Sequence, residues 1–287
     1  MAFEPFVQHM KKQKGAPNMR KNYKALGLDI DGTLTNSEKI ITPETKEAVI
    51  KLQQEGIHVI IASGRSEYGV RHLADELKFD EFGSYVMSFN GGRISNYKTG
   101  EKIYDNALPL EIIPEIYELA KKLGLGILGY EKDNLISGNG VDKYQEYDAW
   151  ACKMNLKPVD NFPVYFSESF NKCLLTGEPD KLRESLECVK DHFKDRLNVF
   201  LSEEFFIEVL PFGVHKAAGF PKLLDRLGIT KDELVCVGDG LNDVTMIEYA
   251  GLGVAMKNAN KALFPVADYV TDSNDENGVL KVIEKFF

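Results

Sequence analysis

Two short stretches near opposite ends of the chain carry acids at spacings that suit chemistry. Asp29 and Asp31 are separated only by Ile30 and followed by Gly32. Residues two apart in an extended segment point to the same side, so both carboxylates open on one mouth. Unequal surroundings can then push their pKa values apart. One can stay ionised as a nucleophile or metal ligand, while the other carries a proton as a general acid. Asp239 and Asp243 flank the Gly-rich turn Gly238-Asp239-Gly240-Leu241-Asn242-Asp243. With Asn242 they suit a hard, oxygen-ligated cation such as Mg²⁺. Ser63-Gly64-Arg65 combines a hydroxyl with backbone N–H groups at a strand-to-helix junction, a setting that favours anions. Lys216 follows His215 at the start of a further expected helix, and beside strand-end acids it would neutralise phosphate charge. Taken singly, a D-x-D is often a solvated turn, a serine there often a plain helix cap, and a lone lysine usually surface. Their positions along the chain set them apart.

Each group follows a short apolar run of strand length: Tyr23 to Ile30, Ile57 to Ala62, Ser84 to Phe89 (ending in Asn90), and Glu233 to Val237. Helical stretches lie between them. Thr42-Pro43-Glu44-Thr45 opens one with a cap residue, proline at the first position and an acid in the first turn, and Gly56 closes it. Another runs from the Ser63-Gly64-Arg65 junction to about Leu77. Lys216 to Leu227 reads as a helix stopped at Gly228, and a further helix ends near Ala250, before the strand Gly253 to Met256. Strands alternating with helices predict right-handed βαβ units and a parallel α/β sheet. In such sheets the ligand crevice lies outside the carboxyl ends of the strands. The acids therefore converge on one cleft although they are distant in sequence.

The middle of the chain reads differently. Helices over Pro109 to Leu123 and Asp180 to Phe193 alternate with hairpin-like turns at Tyr97-Lys98-Thr99-Gly100 and Ser137-Gly138-Asn139-Gly140. Strands are predicted at Lys172 to Thr176, Asn198 to Ser202 and Phe205 to Leu210. The expected organisation is a basic extension over residues 1–22, an α/β core over 23–92 and 205–287, and an inserted α/β cap over 93–204.

Composition narrows the function classes. A chain of 287 residues with 44% hydrophobic and 28% charged residues can bury a sizeable core, and no apolar run reaches membrane-span length. The net charge of −9 argues against coating nucleic acid or anionic membranes by bulk attraction. Four scattered cysteines form no C-x-x-C pair, which argues against a zinc site or a disulfide framework. No apolar h-region is present among the basic residues of the N-terminal stretch, so the expected compartment is the cytoplasm. Two motif matches are rejected. Gly124-x-Gly126-x-x-Gly129 follows a helix and precedes an extended stretch, the reverse of a dinucleotide-binding turn. Asp29-x-Asp31-Gly32 is no calcium loop, because the required Gly and Glu positions fall on Leu34 and Ile40.

The ordered set Asp29-Ile30-Asp31-Gly32-Thr33-Leu34, Ser63-Gly64-Arg65, Lys216 and Gly238-Asp239-Gly240-Leu241-Asn242-Asp243 resembles the haloacid dehalogenase (HAD) superfamily, and within it the Cof-like, subfamily IIB phosphatases. The resemblance covers the chain from Lys24 onward, through position and size rather than motifs in the insertion. It implies a Rossmann-like parallel-sheet core with an inserted α/β cap. Asp29 would be the nucleophile that forms an aspartyl-phosphate, and Asp31 would protonate the leaving oxygen and later activate water. Mg²⁺ would be held by Asp29, the Asp31 backbone carbonyl, Asp239 and Asp243. The Ile30 N–H, Ser63, Gly64, Lys216 and Asn242 would hold the phosphoryl oxygens.

The expected activity is Mg²⁺-dependent hydrolysis of small phosphorylated metabolites, sugar phosphates above all. Two alternatives are carried: a phosphomutase returning the phosphoryl group to substrate, and a non-catalytic phosphometabolite-binding module. Cap residues around Asp142 to Trp150 are expected to contact the leaving group. No nucleic acid or membrane partner is expected, and the assembly expected is a monomer or weak homodimer.

Overall fold

The computed structural model describes residues 22–287, so the expected basic extension falls, but for Asn22, outside the described residues. The strands in chain order are β1 (Ala25–Leu28), β2 (His58–Ala62), β3 (Tyr85–Ser88), β4 (Arg93–Asn96) and β5 (Lys102–Asp105). Next come β6 (Gly126–Glu131), β7 (Asn134–Gly138), β8 (Asn155–Pro158), β9 (Cys173–Thr176), β10 (Leu197–Glu203) and β11 (Phe206–Pro211). The chain closes with β12 (Leu234–Gly238), β13 (Leu252–Ala255) and β14 (Tyr269–Val270). An eight-stranded sheet has the order β14-β13-β12-β1-β2-β3-β4-β5, and a six-stranded sheet the order β10-β11-β9-β6-β7-β8.

The first sheet is parallel from β14 through β3, as the alternating pattern predicted. Its central strands are apolar and buried along their whole length, which fits cover on both faces. The helices Pro43–Gln54 and Gly278–Phe286 pack against each other, and the helix Val244–Tyr249 packs on β12 and β13. Pro43 sits in the first turn of its helix, where a missing N–H costs nothing.

Sheet membership departs from the expected boundaries at 92/93 and 204/205. β4 and β5 continue the first sheet antiparallel beyond β3, and β11 pairs with β9 and β10 in the second. The chain thus leaves the first sheet after Asp105 and returns after Pro211. Consecutive strands joined by short turns tend to pair. β4 follows β3 closely and takes its edge, a preference the hydrophobic pattern does not reveal.

Local differences have equally plain causes. The tight turn between β6 and β7 is at Lys132-Asp133, with Lys132 in the left-handed region; Ser137 to Gly140 instead leads from β7 toward a helix. That helix, Lys143–Cys152, is capped by Asp142, whose carboxylate accepts from the N–H groups of Tyr144 and Gln145, both at 2.9 Å. The helix expected from Lys216 begins at Phe220, with Pro221 in its first turn, so Lys216 stands in the preceding turn. Gly124 ends a helix and Gly126 and Gly129 lie in β6, the helix-to-strand order that excludes a dinucleotide turn.

Separate apolar clusters underlie the two sheets: one includes Leu26, Ile60 and Val235, the other Ile127, Leu175 and Val209. A third joins Phe89 and Val214 to the six-stranded sheet's Tyr130, Leu174 and Leu210. Ile60 is fully buried on β2, next to the central strand. Truncating it leaves a cavity the packed sheet cannot close. Ile60→Ala is expected to lower unfolding free energy by about 2–5 kcal/mol, read from urea denaturation.

Candidate active site

The two ends of the chain meet because β1 and β12 are neighbours. Leu28 pairs with Val237, so Asp29, just beyond β1, and Gly238-Asp239, at and just beyond the end of β12, emerge side by side. Adjacent strands are only about 4.8 Å apart, which brings side chains from residue 29 and residue 239 into one space. β1 leads by crossovers to β2 and β3 on one side, while β12 lies on the other. The acids therefore sit at the point where strand order reverses, the place where α/β sheets bind ligands. Gly32 permits the closeness. Its φ is +84°, and a Cβ there would run into the Asp239 carboxylate. Thr33 Oγ1 donates to Asp239 Oδ1 at 2.8 Å and fixes that carboxylate.

Asp29, Asp239 and Asp243 each offer an oxygen within 4.8 Å of the others. Lys216 enters from the other side, fully buried. Its Nζ donates to Asp29 Oδ1 and to Asp243 Oδ1, each at 2.5 Å. The second oxygen of Asp243 accepts from the N–H groups of Asp239 (2.9 Å) and Gly240 (2.8 Å). Asp243 thus anchors the turn that carries Asp239, with both its oxygens engaged.

The electrostatics follow from this crowding. Burial and the neighbouring Asp243 push the Asp29 pKa well above the usual carboxylate range, with Lys216 opposing. Burial and Asp243 raise Asp239 to about 6. Burial alone would lower Lys216, but Asp243 and Asp29 hold its pKa above the ordinary lysine value. Three carboxylates against one ammonium leave a deficit of two positive charges. An all-oxygen donor set with that deficit fits a hard divalent cation.

Asp31 looks elsewhere. Its carboxylate is gripped by Arg65, through Nε at 3.0 Å and Nη2 at 2.8 Å, and by Lys39 at 2.8 Å. Burial would raise its pKa, yet the two cations hold it below the usual value. The remaining Arg65 nitrogen, Nη1, donates to the Ala151 carbonyl at 2.8 Å, tying this corner to the helix Lys143–Cys152.

The other sequence candidates line the same mouth. Ile30 is buried, and its carbonyl accepts from the N–H groups of Thr33 and Thr35. Ser63 shapes its own turn, its Oγ accepting from the Arg65 N–H at 3.1 Å. The helix cap is Ser66, three residues later, whose Oγ accepts from the Gly69 N–H. Gly64 follows Ser63, its carbonyl accepting from Lys172. Asn242 donates to Asn90 at 2.9 Å. Lys39, Thr33, Asn90, Lys172 and Glu208 are the polar neighbours that sequence reasoning did not assign. Asn90 had a signal, its place at a strand end. The others lie on a loop after β1 or in the inserted segment, where no periodicity marks them.

Comparison with known proteins decides the family. The family model for haloacid dehalogenase-like hydrolases matches residues 26–283. The chain belongs to the haloacid dehalogenase-like hydrolases. A haloacid dehalogenase-like hydrolase from Bacteroides thetaiotaomicron is 40% identical, with a TM-score of 0.88, over 92% of this chain and all of that one. The 5-amino-6-(5-phospho-D-ribitylamino)uracil phosphatase YcsE of Bacillus subtilis is 31% identical over 91% of this chain and 94% of its own length. The HAD subclass IIB sugar phosphatase BT4131 is 25% identical, with a TM-score of 0.78, over 92% of this chain and 98% of that one. The HAD-type core with an inserted cap, and activity as a phosphoric monoester hydrolase, agree with the resemblance read from the motifs. Among the described residues, no helix is long and apolar enough to cross a membrane.

Removing the one ammonium from this acid cluster leaves buried carboxylates uncompensated. Lys216→Met is expected to lower unfolding free energy by about 3–5 kcal/mol in metal-free buffer, measured by chemical denaturation.

Proposed function

We propose that this HAD hydrolase removes phosphate from small phosphorylated metabolites with sugar-like leaving groups, using Mg²⁺ and an aspartyl-phosphate on Asp29. The observation that carries the proposal is the buried bridge of Lys216 between Asp29 and Asp243, with Asp239 alongside. Phosphate-monoester hydrolysis is among the slowest uncatalysed reactions known, and general acid catalysis alone gives only about 10²–10⁴. A covalent nucleophile must act together with charge stabilisation.

In this reading Asp29, the Asp31 carbonyl and Asp239 would hold the cation, with Asp243 joining directly or through water. The bound cation would supply charge neutralisation for the phosphoryl group. The Ile30 N–H, Ser63, Gly64, Lys216 and Asn242 hold phosphoryl oxygens. Asp29 attacks phosphorus, the ester oxygen departs with a proton from Asp31, and Asp31 then takes a proton from the water that releases phosphate. Its ionised state beside Arg65 and Lys39 suits the second half of this cycle. Donating a proton in the first half requires the carboxyl to leave those cations, and an incoming phosphate dianion favours that exchange by raising its pKa.

The leaving group lies toward the cap in this reading. The Arg65 contact with Ala151 supports it, since it sets the last turn of the helix Lys143–Cys152 beside Asp31. Tyr147 stands one turn earlier on that helix, with Trp150 next to it and 68% exposed, their ring centroids 6.0 Å apart. Such rings offer flat apolar surface to a sugar or a base. The names of the two phosphatases carry a sugar phosphate and a phosphoribitylamino group.

Asp29→Asn is expected to abolish phosphate release across a panel of sugar phosphates and nucleotides assayed with and without Mg²⁺, while melting like the parent protein. Retained turnover would remove Asp29 from the chemistry. Release of free phosphate without a bisphosphate activator would set aside the mutase alternative. Removing a cation beside a carboxylate raises its pKa, so Arg65→Met should move the acidic limb of the pH–rate profile upward. An unmoved limb would mean that Asp31 is not the group it reports.

A further inference from the structure

We propose that Lys172 and Glu208, two buried side chains of the inserted segment, are positioning residues that set the phosphate-holding groups Gly64 and Asn242. The proposal rests on the site reading above and deepens it, because it makes the phosphate cradle depend on the cap.

Charged side chains are almost never fully buried unless paired. Lys172 and Glu208 have side-chain exposures of only 5% and 6%, and their charged atoms lie 3.4 Å apart. Lys172 immediately precedes β9 and Glu208 lies within β11, so both belong to the six-stranded sheet. Their hydrogen bonds leave that sheet. Lys172 Nζ donates to the Gly64 carbonyl at 2.9 Å, while its charge rests 5.2 Å from the Tyr130 ring centre. Glu208 Oε2 accepts from Asn90 Nδ2 at 2.6 Å. Asn90 Oδ1 in turn accepts from Asn242 Nδ2 at 2.9 Å. One continuous polar line thus runs from the cap ion pair through Asn90 to the Asp239–Asp243 turn, with a branch to Gly64.

The line has a direction imposed by chemistry. An ionised carboxylate only accepts, so Glu208 fixes which end of the Asn90 amide faces it. The Asn90 oxygen is then presented to Asn242, which must offer an N–H. That leaves the second N–H of the Asn242 amide for a phosphoryl oxygen. The parts have little freedom to shift. Asn90 is 1% exposed and held at φ 53°, ψ 38°. A Cβ added at Gly64 would meet the Asn90 amide at 3.1 Å and Glu208 Oε1 at 3.4 Å. A strut that merely joined cap to core would not need to end on residues at the mouth of the acid cluster. Two groups expected to bind phosphate are each held, directly or through one amide, by the same buried ion pair.

The test uses the full chain with Mg²⁺ and reads kcat, KM, the inhibition constant of inorganic phosphate and the melting temperature. Glu208→Gln keeps the shape but removes the charge and lets an N–H face Asn90. Asn90→Ala cuts the line without disturbing the ion pair. Hydrogen bonds to charged groups contribute roughly 1.5–3 kcal/mol, so both variants should weaken phosphate inhibition and lower kcat/KM by about ten- to a hundredfold. Added to Asn242→Ala, Asn90→Ala should change phosphate inhibition by less than about twofold, since both act through one amide. If Glu208→Gln fails to fold, the charge-balanced double variant Lys172→Met/Glu208→Gln carries the same readout, because exchanging a whole buried pair is often tolerated. Phosphate inhibition and kcat/KM within about twofold of the parent in the folded variants would overturn the proposal, whatever their melting temperatures. Asp29→Asn separates the two readings. An inactive Asp29→Asn beside a normal Glu208→Gln overturns only the positioning role, whereas an active Asp29→Asn overturns the site reading itself.

Discussion

A single buried ammonium governs this structure. Lys216 is fully enclosed and spans Asp29 and Asp243, so charges from residue 29 and residue 243 are held against one lysine at residue 216. Burying one lysine among three carboxylates stabilises nothing by itself; the cost of desolvating ions is high and the balance is incomplete. An arrangement of this kind points to function rather than stability. It keeps a strong, preorganised field in a water-poor site, which is the setting where electrostatic stabilisation of a transferring group is most effective.

The sheet topology makes that convergence inexpensive. β1 and β12 lie side by side with Leu28 opposite Val237, so the backbone alone delivers Asp29 and Asp239 to the same place. Short turns then do the fine placement. Gly32 leaves room for the Asp239 carboxylate, Asp243 ties down the N–H groups of Asp239 and Gly240, and Ile30 anchors Thr33 and Thr35. A second layer of charge surrounds this centre. Arg65 and Lys39 hold Asp31, and Arg65 also reaches the cap helix at Ala151. Lys172 and Glu208 reach Gly64 and Asn90. Residues of the inserted segment therefore contact the mouth of the core at Gly64, Arg65 and Asn90.

Much of this was legible in the chain. Strand-length apolar runs ending in Asp29, Ser63, Asn90 and Asp239 announced a parallel sheet with a site at its carboxyl ends, because backbone geometry dictates where such strands put their last residues. The helix start at Pro43 was legible for a similar local reason. What escaped was set by partners distant in sequence. Nothing local says that β4 joins β3 while β11 joins β9, since an alternating strand fits either sheet edge. Lys216 was expected within a helix but stands in the turn before Phe220, where Pro221 fixes the start. Ser63 stands at the expected strand-to-helix junction, but the helix cap itself is Ser66. No role was read for Lys172 or Glu208, because a buried charge declares itself only through partners from another sheet. The pairing of Arg65 with Asp31 was likewise hidden, since residue 65 follows β2 and residue 31 follows β1.

In the proposed site Asp29 and Asp239 share one divalent cation, while the Asp31 carboxylate is turned away toward Arg65 and Lys39. Mn²⁺ titration followed by electron paramagnetic resonance tests it directly, in the parent protein and in the Asp239→Asn and Asp31→Asn variants. One bound Mn²⁺ per chain is expected, lost in Asp239→Asn and kept in Asp31→Asn. Binding that survives Asp239→Asn unchanged, or that disappears in Asp31→Asn while the variant remains folded, would contradict it.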